Sequence, residues 1–585
     1  MIEFKCTPYG VGHRSEGVCL LMEVGASRFL LDCGLKDAFS LLLALQKIRD
    51  AHSTGLPLDF IICSHAHWDH VQSLYQLNQV YPKIPIYLTE ATAHLLTLHW
   101  PEQNLTQLQA AFCIVPWKLT LEVTPELSLA FLPAGHFPGA AAAFLTYRSA
   151  LAGESAANAT ASLLYTGDSC LANTRMTDAL PLQIYRTFTP DILIVSGCLG
   201  TDSYPNRRRQ EAQLLQHINT ALEDGQSLLI PRVQMGMMPE LIMLLRTHPQ
   251  FVGKDIDIWI HEAVAQECDH YLKILHLLPK PVSNLATTQP LFFDEQRCPR
   301  LRRFSEACLE HLLHAPAIVL TPAKVNLAPM LERAEGLWNL LILDQPWQED
   351  SLLSGEDQAT PEVMLDARLG PRGVAQQLRH WLASDRLRMT PFVLTQHSDL
   401  SGTLQLIHNL KPQHVVFIHG SPAKLEDLTN LDGLINRYHL HLPYPDKPFE
   451  LLLGQDKIQL DLQSSERQPD QVLPIPVEIQ DQSGEIFLKL PQTLRGDPHW
   501  DRFTETGLMR ATWQGEDLLL QPVSQQNLLE LRRQRVKQPG DCCSNCQFYQ
   551  NQHCASPASP LSGLAVDPTG LCPQYQPSPG NSSAR

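Results

Sequence analysis

The chain has 585 residues, of which 44% are hydrophobic and 18% charged, and a formal net charge of −16 at pH 7. That length accommodates roughly two to four domains, and no apolar run approaches the roughly 18–20 residues of a bilayer span, so no membrane association is expected. The acidity excludes a broadly cationic nucleic-acid-binding surface but leaves room for local basic grooves.

The N-terminus, "MIEFKCTPYG", lacks the basic and apolar regions of a secretory signal, so the cytoplasm is the expected compartment. Short apolar runs follow, separated by turns and helical stretches: "CLLMEVG" (19–25), "RFLLDCG" (28–34), "DFIICSH" (59–65), "IPIYLT" (84–89), "LSLAFLPAG" (127–135) and "ASLLYTGD" (161–168). This pattern predicts a layered α/β fold. "RRRQEAQLLQHINTALEDG" (207–225) has the period of an amphipathic helix, and "QSLLIPRV" with "GMMPELIMLLR" (226–246) reads as strand, loop and helix, a second α/β unit. Residues 388–422 repeat the order strand, helix, strand, with a histidine at two strand ends. "ESAANATAS" (154–162), "LLSGEDQATPE" (352–362) and "LRGDP" (494–498) read as surface loops. After about residue 460 the chain turns polar and rich in Pro and Gln, and residues 573–585 have a disordered composition.

The chemistry concentrates in "SHAHWDH" (64–70), directly after an apolar strand. Imidazole and carboxylate suit zinc and related divalent ions. In an extended segment His65 and His67 point to one side, while Asp69 and His70, turning into a helix, aim at a second point. Two adjacent metals, about 3.5–4 Å apart, are therefore expected. Further ligands should lie at other strand ends, and His136 in "PAGHFPGA", Asp168 in "LLYTGDS" and His419 in "HVVFIHGSP" occupy such places.

The order His-x-His-x-Asp-His, Gly-His, Thr-Gly-Asp, His-Gly resembles the metallo-β-lactamase fold superfamily, over roughly residues 1–200 and 390–460. The resemblance implies one metal held by His65, His67 and His136, another by Asp69, His70 and His419, and Asp168 bridging them. It implies that Asp32, in "LLDCG", orients a ligand histidine. About 250 residues separate Asp168 from His419, too many for a loop, so a domain is inserted. That insertion resembles the β-CASP branch, whose members process RNA or DNA. The expected fold is an α/β, αββα metallo-β-lactamase sandwich with an inserted β-CASP-like α/β cap and a small metal-stabilised C-terminal module. The expected domains are 1–200 and 389–460 (metallo-β-lactamase), 201–388 (cap), 461–540 (polar region) and 541–585 (Cys-rich tail).

The segment "TQHSDLSG" is similar to that branch's Ser-x-His-Ala-Asp motif, which makes His397 the group expected near the scissile phosphate, supported by Asp399. Two departures stand out: Ser196 where the family carries an acid, and Met237 where it carries an arginine after the cap glycine. The implied activity is RNA hydrolysis by a hydroxide bridging two Zn²⁺ or Mn²⁺ ions, with Asp69, His397 and Asp32 in the catalytic constellation. RNA is expected to enter along Arg207, Arg208 and Arg209, with "RCPRLRR" (297–303) as a further basic stretch. Alternatives are a hydrolase of small esters or thioesters, and a non-cleaving scaffold for RNA or protein; the complete ligand set speaks against the latter.

Fifteen cysteines divide into ten scattered from Cys6 to Cys308 and five within 542–572. The scattered ones read as small buried hydrophobes. Cys543, Cys546, Cys554 and Cys572 have the spacing of a four-thiolate knuckle for zinc, with an iron–sulfur cluster as the rival. Such a tail is a place for a protein partner or a homodimer contact.

Overall fold

The computed structural model describes residues 2–13, 16–51, 55–149, 160–232, 234–304, 316–322, 336–344, 381–382 and 386–453, and in the C-terminal region 478–482, 485–489, 509–514, 517–522, 546–550 and 553–556. The chain divides into two units, Met1–Leu462 and Gln463–Arg585.

In the first unit, two seven-stranded sheets face each other. One runs, edge to edge, Phe449–Leu453, Ile2–Val11, Val18–Val24, Ser27–Leu31, Phe60–Ile62, Ile86–Leu88, Phe112–Ile114. The other runs His439–His441, His414–Ile418, Ile192–Ser196, Thr160–Tyr165, Ala141–Arg148, Leu127–Pro133, Thr120–Glu122. Strands such as "FII" and "ILIVS" are buried throughout because a parallel sheet is covered on both faces. Between the sheets lie Phe4, Phe29, Phe60, Phe131, Leu145, Leu163, Ile194 and Ile418, with Phe29 and Phe60 stacked at 4.9 Å. Each buried side chain of this size contributes about 1.5–3 kcal/mol. Helices close the outer faces; Leu400–Leu410 packs Leu406, Ile407 and Leu410 against the second sheet.

Several strands lie outside the apolar runs singled out in the sequence, among them Ile2–Val11 and Ala141–Arg148. The first mixes buried and exposed positions, and the second opens on three alanines. Strand His414–Ile418 lies parallel to Ile192–Ser196, so one sheet is completed by chain from both sides of the insertion.

The insertion builds a six-stranded sheet, in the order Arg300–Phe304, Asp257–His261, Ile318–Pro322, Ser227–Arg232, Trp338–Asp344, Leu387–Val393, all parallel. The chain thus leaves this sheet at Val393, a few residues past the expected boundary at 388. Helix Arg207–Glu223 starts at Asn206, whose side chain accepts from the Arg209 N–H, and buries Arg207, Gln210, Glu211, Leu214, Leu215, Ile218 and Ala221, the spacing of one helical face. The alignment of "LLIP" with a strand and "MMPELIMLLRT" with a helix follows the sequence pattern.

The C-terminal unit shows three antiparallel strand pairs: Glu478–Gln482 with Glu485–Lys489, Met509–Gln514 with Asp517–Pro522, and Tyr549–Gln550 with His553–Cys554. The loops expected at 154–162, 352–362 and 494–498 lie wholly or mostly outside the described residues, as does the tail from 573. Among the described residues, no helix is long and apolar enough to cross a membrane.

Candidate metal centre

All seven expected donors sit at strand ends on one rim of the facing sheets, and all but Asp69 are buried. His65 and His67 follow Phe60–Ile62, Asp69 and His70 begin the short helix Trp68–Val71, His136 follows Leu127–Pro133, Asp168 follows Thr160–Tyr165, and His419 follows His414–Ile418. The loop can turn this tightly because Gly34 lies against it: a Cβ there would stand 1.7 Å from the Asp69 carbonyl oxygen.

Asp168 is the hub. Its Oδ2 lies 3.7 Å from His65 Nε2, 3.4 Å from His70 Nε2, 3.8 Å from His136 Nε2 and 3.9 Å from His397 Nδ1, and its Oδ1 lies 2.8 Å from His419 Nδ1. One group of donors comprises His65, His67, His136 and Asp168; another comprises Asp69, His70 and His419; within each, the ligand atoms lie within 4.8 Å of one another.

The proton positions follow from the partners, because a carbonyl or carboxylate only accepts. His136 Nδ1–H donates to the Gln396 carbonyl at 2.8 Å, which leaves Nε2 bare. His67 Nε2–H donates to the Met235 carbonyl at 3.2 Å, which leaves Nδ1 bare. These two bare nitrogens face each other at 3.0 Å, a repulsive contact that a cation would relieve. The Ser64 hydroxyl donates to Asp32 at 2.7 Å and so accepts from His65 Nδ1–H at 3.0 Å. His70 Nδ1–H donates to Asp32 Oδ2 at 2.7 Å. The inward nitrogens, His65 Nε2 and His70 Nε2, and Asp168 Oδ2 are buried without a hydrogen-bond partner among the described residues, while Asp168 Oδ1 faces His419 Nδ1. Buried polar atoms left in this state are destabilising by about 1–3 kcal/mol each. The donor set therefore fits divalent cations.

The electrostatics agree. Burial pushes the His65 imidazole well below its usual range, reinforced by His70, His67 and His136. Burial also lowers His70, but Asp168, Asp32 and Asp69 outweigh it and raise it to about 10. His419 is likewise raised against burial, chiefly by Asp168. Burial would raise Asp168, yet His419, His70 and His397 hold it well below the usual carboxylate range.

Asp32 lies at the centre of the support. It is fully buried and also accepts from the Ser64 N–H at 2.7 Å and from the Tyr165 hydroxyl at 2.5 Å. Tyr165 was not singled out in the sequence, where it ends an apolar run. Cys198 was also missed; its thiol meets His397 and His419 within 4.8 Å. Ser196, in place of an acid, puts its hydroxyl 3.2 Å from His419 Nδ1.

The cap reaches the same centre. Gln234 donates its amide N–H to His67 Nδ1 at 2.9 Å, and its Oε1 is buried without a partner among the described residues. Gly236, at φ +89°, allows the loop to press on Phe137, where a Cβ would stand 2.5 Å from the ring. His397 is buried beside the His136 ring at 4.4 Å. Burial first, then His136, pushes its imidazole well below the usual range.

One expected contact is corrected. Arg207 is not on an RNA path: it is buried, bonded through Nε to Glu211 at 2.9 Å, through Nη1 to the Thr395 carbonyl at 2.8 Å and through Nη2 to Glu240 at 3.2 Å. A guanidinium on the buried face of an amphipathic helix needs those acids, whereas Arg208 and Arg209, on the outer face, are exposed. Asp399 caps the helix Leu400–Leu410, accepting from the Gly402 N–H at 3.0 Å. Met237 lies in the apolar core. In the basic stretch 297–303, Arg300 is paired with Asp255 and Asp257, Arg302 with Glu295 and Arg303 with Asp269. Of the tail cysteines, Cys546 and Cys554 flank a hairpin in which Tyr549 pairs with Cys554, and Cys543 and Cys572 lie outside the described residues.

Comparison with known proteins adds relatives to this geometry. Residues 27–224 match a beta-lactamase superfamily domain, and residues 386–431 match a Zn-dependent metallo-hydrolase RNA specificity domain. The chain is 37% identical to the uncharacterized protein sll0514 of Synechocystis over 97% of its own length and 96% of that protein's. It is 24% identical to Integrator complex subunit 11 of Danio rerio, covering 73% of this chain and 71% of the relative. It is 23% identical to an RNase J-like protein of Methanocaldococcus jannaschii, covering 69% and 89% respectively.

Proposed function

The chain belongs to the β-CASP, RNA-processing branch of the metallo-β-lactamase superfamily, and from that membership we propose that it is a metal-dependent ribonuclease hydrolysing phosphodiester bonds. One observation carries the reading: six donors gather around Asp168, with four imidazoles oriented by outer partners so that a nitrogen of each faces inward. We assign His65, His67 and His136 to one ion, Asp69, His70 and His419 to a second, and Asp168 between them. Zinc suits so imidazole-rich a set best, with manganese next. Bound there, divalent ions supply Lewis-acid chemistry, polarising a phosphoryl oxygen and lowering the pKa of water.

The chain's own groups position the substrate and handle protons. His397, kept neutral by burial and His136, offers an N–H to a phosphate or leaving oxygen at the hub. Asp69, whose side chain is 37% exposed, stands where the buried cluster opens to solvent. Asp32 holds His70 in one orientation, with Tyr165 and Ser64 filling its remaining acceptor positions. Arg208 and Arg209 are the proposed phosphate contacts on the surface. In the tail, the hairpin bearing Cys546 and Cys554 supports a further thiolate site, completed by Cys543 and Cys572 and holding zinc or an iron–sulfur cluster. That region is also our candidate for a protein or homodimer contact. The thiols of the described cysteines are unbridged, which suits the cytoplasm.

End-labelled RNA incubated with the zinc- or manganese-loaded chain tests the reading. Cleavage should disappear on chelation and in Asp168→Ala; cleavage surviving both would overturn it.

A further inference from the structure

Beside the ligand loop lies a group of rings that metal binding does not use. Trp68 stands between His67 and Asp69, at the start of the helix Trp68–Val71, and 42% of its surface is exposed. Its indole leans on His99 at 5.0 Å and Trp100 at 6.0 Å, and Trp100 meets Tyr75 at 5.7 Å. His99 is fixed in turn by its Nε2–H, which donates to the Ala66 carbonyl at 2.6 Å. The support under Trp68 is therefore tied to the same loop that carries His65 and His67. Thr97, two residues before His99, meets His270 of the cap at 3.5 Å, and His67, next to Trp68, bonds the cap at the Met235 carbonyl. Arg232 is a cap residue whose side chain is 30% exposed and paired with Glu267 at 3.0 Å. The ring group thus sits where the ligand loop and the cap approach each other, beside the one ligand that opens to solvent.

A large, rigid, exposed ring at this position invites a flat ligand. We propose that Trp68 is a stacking platform for an unpaired nucleobase of the RNA, holding the strand so that a neighbouring phosphodiester lies at the metal centre; this rests on the ribonuclease reading. Every base has a π-face, so such a contact selects single-stranded RNA without selecting sequence. One indole face matches the area of a base and falls far short of the roughly 800 Å² per partner that a stable protein interface buries.

The test is a double substitution across the contact, read by fluorescence anisotropy with the full chain in chelator, so that the RNA stays intact. Single-stranded oligonucleotides carrying one abasic site at successive positions are titrated against wild type, Trp68→Leu and Trp68→Phe. At one position the abasic RNA should bind wild type about tenfold more weakly. Trp68→Leu should bind intact RNA about tenfold more weakly and be indifferent to that abasic site, and Trp68→Phe should recover most of the loss. A merely structural role for the indole would weaken all RNAs alike and show no such coupling. Absence of coupling at every position, including the case where the surface takes a protein instead, overturns the platform. The same RNAs are then given to the metal-loaded wild type. Coupled binding without cleavage would overturn the ribonuclease reading and leave the platform standing; cleavage without coupling would do the reverse.

Discussion

Asp32→Asn isolates what the buried carboxylate contributes. Asp32 sits at φ 57°, a left-handed conformation that asparagine tolerates as well as aspartate, so the backbone should not move. The carboxylate accepts one donor at Oδ1 and three at Oδ2. An amide cannot place its NH₂ at Oδ2, against three donors, so it turns NH₂ toward the Ser64 N–H. That orientation removes one charge-assisted bond and leaves a buried donor unsatisfied, about 1–3 kcal/mol. The three remaining bonds become neutral and lose roughly 0.5–1 kcal/mol each. The sum is a destabilisation of about 2.5–6 kcal/mol. His70, no longer held by an anion, becomes a weaker ligand, and metal affinity should fall about 10–100-fold. Denaturant unfolding of the ion-free chain measures the first figure, and competition with a chromogenic chelator the second. A variant within about 1 kcal/mol and about threefold of wild type would refute the assignment of Asp32 as the group that orients the site.

Other expectations follow from the same geometry. In Gln234→Ala the amide no longer occupies His67 Nδ1, so ion affinity should rise by up to about tenfold in the chelator assay; unchanged or weaker affinity counts against that competition. His70 titrates at about 10 without ions, so at pH 7 it is protonated and loading must expel that proton. Affinity should therefore fall as pH falls, with about one to two protons released per chain by calorimetry in buffers of different ionisation enthalpy. In the ion-free chain the same raised value stabilises the fold fully below about pH 6.5, and that stability is lost as pH rises through about 10. Arg207→Met leaves Glu240 buried without its cation and Glu211 with Arg175 alone, and should destabilise by about 3–5 kcal/mol while leaving the salt dependence of RNA binding unchanged. Arg208→Ala and Arg209→Ala should each reduce the slope of log affinity against log salt by about 1 and leave stability within about 0.5 kcal/mol.

The metal donors were legible because each occupies the end of an apolar run, and because three imidazoles and a carboxylate in six positions have few structural explanations. Their supporting partners were harder to read. Met235 and Gln396 act through main-chain carbonyls, which no side-chain pattern encodes, and Tyr165 looks like any aromatic closing a strand. Arg207 shows how a basic triplet misleads: only the helical phase, with Gln210, Glu211 and Leu214 on the same face, separates the buried arginine from its exposed neighbours. Asp399 carried a signal that went unused, since an aspartate before an apolar-periodic helix is a capping residue.

The earliest strand of the chain has its outer neighbour among the latest. Ile2–Val11 pairs with Val18–Val24 on one side and with Phe449–Leu453 on the other, about 440 residues downstream. At ribosomal speeds of about 5–20 residues per second, that margin stays open for about 20–90 s. During this interval the nascent polypeptide presents unpaired N–H and C=O groups flanked by Phe4 and Cys6, a template for mispairing with other chains. His419 emerges only shortly before the closing strand, so the cation pocket can be assembled only near the end of synthesis of the first unit.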